Sequence, residues 1–136
     1  MARILAIDYG EKRSGIACTD PLQIIVSPVA GIDTADLSTI LDDYLQREAV
    51  EKIVFGMPYL ADAKPTHLAK LIKKFIKSLA KKYPDLTIDT EHEGFTTQRA
   101  KEVIYMSGVK KQKRKDKHLV DKMSAVIILQ EYLGHI

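Results

Sequence analysis

The stretch Ile4-Leu5-Ala6-Ile7-Asp8-Tyr9-Gly10 decides how this chain is read. An unbroken apolar run of this length suits a strand buried on both faces. An ionised aspartate inside such a sheet is costly unless something pairs with it. Asp8 is therefore expected at the strand's end, where it meets solvent, a metal ion or a base. Gly10 then lets the backbone turn sharply or approach a phosphate closely. On this stretch alone Asp8 reads equally well as a turn aspartate, since Asp-x-Gly is common in hairpins.

The chain is 136 residues long, which suits one domain, 1–136, with a real core. With 46% apolar and 29% charged residues, disorder is not the default. The one cysteine, Cys18, excludes an internal disulfide and is expected to pack as a small apolar residue. Met1-Ala2-Arg3 runs straight into a strand without a signal-peptide pattern. No apolar run approaches the ~20 residues that span a bilayer. A cytoplasmic protein with no membrane partner is expected. The net charge of +3 is unevenly placed, with six bases and one acid between Lys110 and Lys117. Such a block is often a solvated tail. Between two expected helices in a compact chain it points to phosphate contact.

Working outward, residues 3–8 and Arg13–Thr19 form two strands joined by a hairpin, and Ile24–Val29 forms a third. Pro28 marks the third as an edge. Thr34 suits an N-cap for a helix over 35–48, with Leu37, Ile40, Leu41, Tyr44 and Leu45 at helical spacing. Lys52–Phe55 reads as a short buried strand. Pro65 suits the first turn of a second helix, whose buried stripe includes Leu68, Ile72, Phe75 and Leu79. Its other face carries Lys70, Lys73, Lys74, Lys77 and Lys81, read as a solvated lysine face. A strand over 86–90, a helix over 97–106 starting at Thr96 and ending at Gly108, and a last helix over 119–133 complete the order. Strands that alternate with helices favour parallel crossovers. The fold class is α/β: a five-stranded mixed sheet, three antiparallel strands then two parallel, flanked by helices.

Three acids stand at telling places: Asp8 ending strand one, Glu93 just past the strand at 86–90, and Asp121 in the first turn of the last helix. Each is placed to reach the C-terminal edge of the parallel strands, where open sheets hold their ligands. Converging carboxylates repel unless cations neutralise them, and oxygen ligands suit Mg2+ or Mn2+. One or two such ions activate water for phosphodiester cleavage. The competing readings are plain: Asp121 as a helix-dipole partner, Glu93 as a loop acid with Glu91 as its rival. His67, His92, His118 and His135 lack zinc spacing. Ser14 and Ser124 have no evident base.

Asp8-Tyr9-Gly10-Glu11-Lys12-Arg13-Ser14-Gly15-Ile16-Ala17 resembles the opening motif of the YqgF (RuvX-like) family. Gly56-Met57-Pro58 resembles its Gly-x-Pro. Glu93-Gly94-Phe95-Thr96-Thr97 with Ala100 resembles its central acidic motif. Asp121-Lys122-Met123-Ser124-Ala125 through Ile128-Leu129 to Tyr132-Leu133 resembles its close. The resemblance spans nearly the whole chain, and opening and closing motifs together are specific. It implies an RNase H-like fold and activity as a pre-16S rRNA nuclease or Holliday-junction resolvase. The family's acidic positions fall on Asp8, Glu93 and Asp121. Two departures stand out: His92 and Gly94 replace the family's aspartate and arginine around the glutamate.

The reading is a metal-dependent nuclease in which Asp8, Glu93 and Asp121 ligate Mg2+ or Mn2+. Lys12, Arg13, Lys110, Lys111, Lys113, Arg114 and Lys115 are expected to contact phosphate. The resemblance favours precursor rRNA as substrate, with branched DNA second, in a monomer or weak homodimer. Two rivals are a non-catalytic nucleic-acid-binding protein on the same fold and an ATP-binding phosphotransferase. The latter needs a second domain that 136 residues do not supply.

Overall fold

The opening strand forms where the apolar run places it. In the computed structural model, which describes residues 2–58, 66–93 and 117–135, with the side chains of 92, 93, 117 and 118 excepted, β1 spans Arg3–Asp8 and β2 spans Arg13–Thr19. β3 is Val26–Asp33, α1 Leu37–Arg47 and β4 Val50–Pro58. Then come α2 at His67–Lys82, β5 at Thr87–Glu93 and α3 at Lys117–Leu133. The five strands lie in the order β3-β2-β1-β4-β5. β1, β2 and β3 pair antiparallel, whereas β4 and β5 run parallel to β1. This is the mixed sheet expected from the element order.

Ile4 to Ile7 are all buried because the sheet is covered on both sides. Alternation sends Leu5 and Ile7, with Ile53 and Phe55 of β4, toward Leu37 and Leu41 of α1 and Ile72 of α2. Ile4 and Ala6, with Ala17 and Val54, meet Ala125, Ile128 and Leu129 of α3 on the opposite face. Each such large side chain contributes about 1.5–3 kcal/mol. Cys18 is a buried free thiol, as expected.

Several boundaries differ from the expected ones. β3 starts later and runs to Asp33; Pro28 sits opposite Ala17 where the register shifts, as befits an edge strand. Thr34 does not cap a helix. It opens a short 3-10 turn, Thr34–Asp36, and its hydroxyl is engaged elsewhere. Thr66 caps α2, accepting from the Ala69 backbone N–H at 3.0 Å. β5 extends to Glu93, which is thus the strand's last residue rather than a loop acid. α3 begins at Lys117, so Asp121 lies in its second turn and not its first. The helix dipole fades within the first turn, which weakens the purely electrostatic reading of Asp121. The expected loop at 59–64, Pro65, the helix over 97–106 with Thr96 and Gly108, and the basic stretch 110–116 lie outside the described residues.

Polar bridges at the far end of the sheet hold the layers in register. The Tyr132 hydroxyl of α3 donates to Asp89 of β5 at 2.7 Å and accepts from the Lys52 ammonium of β4 at 2.8 Å. The Tyr132 hydroxyl, then the Thr90 backbone N–H, holds the Asp89 carboxyl below its usual range. Lys82 and Tyr83 likewise tie the end of α2 to Asp42 of α1 and lower the Asp42 carboxyl, Lys82 most.

Candidate active site

Asp8 closes β1 and pairs across the antiparallel ladder with Gly15 of β2. Strand alternation gives Asp8 the side of Ile4 and Ala6, which is the face that α3 covers. There α3 lies directly on Gly15: a Cβ built at Gly15 would fall 2.0 Å from the Asp121 carbonyl oxygen and 2.4 Å from its carbon. The missing side chain therefore lets the helix backbone touch the strand. Residues opposed on an antiparallel pair have Cα atoms about 4.5–5.5 Å apart. Gly15 is thus the common neighbour of Asp8 and Asp121, and brings together two residues far apart in sequence.

The third acid comes from β5. Ile7, Phe55 and Thr90 are level across the parallel strands, and Gly56 pairs with Glu91. One residue past Ile7, Asp8 is therefore level with Glu91, with Gly56 contributing no side chain between them. Glu93 stands two residues farther along, paired with Pro58. β1 and β5 are two strand spacings apart, about 9.5 Å. Both glutamates hold the alternation of Asp89, and backbone position alone does not separate them. Of the expected trio, the side chains of Asp8 and Asp121 are described and that of Glu93 is not. Among the described residues, no three His, Cys, Asp or Glu side chains form a ready metal cluster.

The hairpin beside Asp8 is pinned by a closed network that the sequence reading missed. The Thr34 hydroxyl donates to the Gly10 carbonyl at 2.6 Å, so it accepts from the Ser14 hydroxyl at 2.7 Å. Ser14, fully buried, accepts in turn from the Gly10 backbone N–H at 3.3 Å. The Thr34 N–H also donates to the Lys12 carbonyl at 2.9 Å. A hydroxyl twenty residues past Ser14 carries no sequence signal for this role, since threonine before a helical pattern reads first as a cap. Ser14 is thereby a structural residue and not a nucleophile.

Arg13 is not simply a solvent-facing phosphate hook. Its guanidinium Nε sits 3.2 Å from Asp121 Oδ2. Lys12 is exposed at the crest of the hairpin, and Glu11 next to it reaches His67 at the start of α2, 3.2 Å away. The other expected phosphate contacts, Lys110, Lys111, Lys113, Arg114 and Lys115, lie outside the described residues. Among the described residues no helix is long and apolar enough to cross a membrane.

Comparison with known proteins places the chain in a family and a fold. The family model RuvX, described as Holliday junction resolvase, matches residues 2–135. A relative from Porphyromonas gingivalis is 45% identical over 135 residues, covering 99% of this chain and 98% of its own. One from Christiangramia forsetii is 43% identical over 133 residues, covering 98% of each chain. Both carry the name "Putative pre-16S rRNA nuclease". Among solved structures, Thermus thermophilus RuvC in complex with a Holliday junction substrate overlays with a TM-score of 0.56 at 15% identity, covering 98% of this chain and 97% of that one. That likeness shows the fold and bears out the RNase H-like expectation. By the family model and by these full-length relatives, the chain belongs to the RuvX family.

Proposed function

We propose that this chain is a metal-dependent nuclease that hydrolyses phosphodiester bonds, with precursor 16S rRNA as its first substrate. The observation that supports this reading is the close approach of the Asp121 backbone to Gly15, the ladder partner of Asp8, near the strand ends where β5 carries Glu91 and Glu93. The names of the relatives, pre-16S rRNA nucleases, support the substrate. Cytoplasmic ribosome assembly is the setting that fits.

The residues present suit a divalent cation. The donors are carboxylate oxygens, which favour Mg2+ or Mn2+, and Asp121 already attracts a cationic group in Arg13. In this reading Asp8, Asp121 and Glu93 hold one or two ions. The bound metal supplies an acidified water and positive charge for the leaving oxygen. The chain's own residues do the positioning. The Ser14–Thr34–Gly10 network fixes the hairpin, Lys12 meets phosphate at its crest, and Arg13, paired with Asp121, meets phosphate beside it.

The test is cleavage of a labelled precursor-rRNA 5′ segment and a four-way DNA junction. Each is incubated with Mg2+, with Mn2+ and with chelator, comparing wild type with Asp8→Asn. Metal-dependent cutting of the RNA that Asp8→Asn abolishes is the expected result. Cutting of the junction instead favours the resolvase reading, which the family description and the RuvC-like fold support. Such an enzyme needs paired active sites in a symmetric dimer. Tight binding without cutting in any condition overturns the enzyme and leaves a binding protein.

A further inference from the structure

We propose that the exposed face of α2, with the cleft it shares with Tyr9, is a binding track for a single-stranded stretch of the nucleic-acid substrate. The proposal rests on the nuclease reading and adds a contact surface on the sheet face opposite the acids.

The cleft encloses about 330 Å³ and is lined by Tyr9, Leu71, Lys74, Phe75 and Ser78. Tyr9 directly follows Asp8. Its ring meets Phe75 with centroids 5.3 Å apart at 48°. Phe75 is backed by the fully buried Phe55, with centroids 5.9 Å apart. Both Tyr9 and Phe75 remain half-buried. Among the described residues the result is an aromatic wall with a lysine at its rim. Stacking of an unpaired base on such a wall is the common basis of single-strand recognition, and a base inside a duplex has no face to offer it.

Lys74 joins this cleft to the lysine face. Lys70, Lys73, Lys74, Lys77 and Lys81 are all exposed, and α2 contains no acid. Among the described residues none of them has a carboxylate partner, while Lys82 pairs with Asp42. A merely solvated helix face intersperses both signs, because like charges at i,i+3 and i,i+4 destabilise the helix. Here every charged neighbour at these spacings within α2 is positive, so the face suits a polyanion. From Lys70 to Lys81 the helix runs roughly 17 Å. A basic amphipathic helix can also bind an anionic membrane. The apolar side of α2, however, is spent in the core through Ala69, Ile72 and Leu79. The strand reaches this side by crossing the sheet edge over the hairpin, where Lys12 is exposed.

The test uses the full chain in chelator, so that nothing is cut. The probes are a single-stranded RNA carrying 2-aminopurine, a duplex RNA of equal length, and phosphatidylglycerol-containing vesicles. The variants are Lys73→Gln/Lys74→Gln/Lys77→Gln, at exposed positions where glutamine keeps helix propensity, and Phe75→Leu. The triple variant should bind the single strand about a hundredfold more weakly near 0.1 M salt, converging with wild type near 1 M. Its slope of log K against log salt should shrink by about 2, since each phosphate contact contributes roughly 0.7. Phe75→Leu should lose the 2-aminopurine quenching and bind at least about fivefold more weakly. An unchanged slope in the triple variant overturns the track, as does duplex binding that falls as much as single-strand binding. Vesicle binding that the triple variant abolishes while RNA binding persists also overturns it. Wild type that cuts RNA with metal while the triple variant binds normally refutes the track alone. Wild type that neither binds nor cuts refutes the nuclease reading as well.

Discussion

Replacing Gly15 with alanine tests the whole geometry of the site. The new Cβ would lie 2.0 Å from the Asp121 carbonyl oxygen, 2.4 Å from its carbon and 2.9 Å from the Lys122 nitrogen. All three are backbone atoms, so no side chain can rotate away. Restoring a contact near 3.5 Å moves this part of α3 off β2 by roughly 1–1.5 Å. Overpacking of this kind costs about 1–3 kcal/mol, which lowers Tm by on the order of 5–10 °C. The same shift moves Asp121 relative to Asp8, and a misplacement near 1 Å costs about a hundredfold in turnover. The assay pairs thermal unfolding with single-turnover cleavage well below the variant's Tm. An unchanged Tm would mean that α3 does not rest on Gly15. A lowered Tm with turnover within twofold of wild type would mean that the position of Asp121 does not matter to the chemistry. Either result refutes the reasoning.

The other predictions concern the same edge and the staples behind it. Arg13→Gln removes a cation that stands 3.2 Å from Asp121. Mn2+ should then bind several-fold more tightly by calorimetry while RNA binds more weakly; looser Mn2+ binding would show that Arg13 assists the metal. Glu93→Gln should abolish cleavage, while Glu91→Gln should keep it within about tenfold; the reverse pattern reassigns the third ligand to Glu91, which is level with Asp8. Among the described residues the buried Ser124 hydroxyl oxygen has no partner. Ser124→Ala should leave stability unchanged or raise it by about 1 kcal/mol, read from denaturant midpoints, and a large loss would reveal a partner. Asp42 and Asp89 have lowered carboxyl pKa values, so the stability they add is present above the unfolded carboxylate range. It is lost as pH falls through their lower folded values. Tm should therefore drop below about pH 4, and less steeply in Asp42→Asn/Asp89→Asn; equal slopes would clear both groups.

β1 and β2 were legible to the residue because an unbroken apolar run and a turn rich in polar residues mark their ends. β4 and β5 run longer than their apolar patterns indicate. Their extra residues, such as Met57 and Pro58 or Glu91 to Glu93, are held by the ladder between strands, to which periodicity is blind. That difference moves Glu93 from just past the strand to its last residue. Thr34 was misread for a similar reason: a hydroxyl before a helical pattern looks like a cap until Gly10 and Ser14 are seen against it. Asp8 and Asp121 could be named from position and family resemblance. The ion pair of Arg13 with Asp121 spans 108 residues and had no local signal. Nor did the contact that makes Gly15 necessary, because the atom that needs the space belongs to the far end of the chain.

The division between the two faces of the sheet has a physical logic. A site built from carboxylates must stay negative enough to hold divalent ions, yet its substrate is itself a polyanion and needs cations nearby. In the proposed nuclease a cation in direct contact with the acids would compete for them, and Arg13 stands 3.2 Å from Asp121. The lysines of α2 lie beyond the other face, a separation on the order of 15 Å given layer spacings near 10 Å. At that range two unit charges in water interact by only about 0.3 kcal/mol, and physiological salt with its ~8 Å screening length weakens even that. On the proposed track those lysines would draw in and guide a polyanion without discharging the acidic edge. The hairpin from Tyr9 to Arg13 is where the two requirements meet. It carries Tyr9 against Phe75 on one side, the Arg13–Asp121 ion pair on the other, and Gly10 held by the Ser14 and Thr34 hydroxyls.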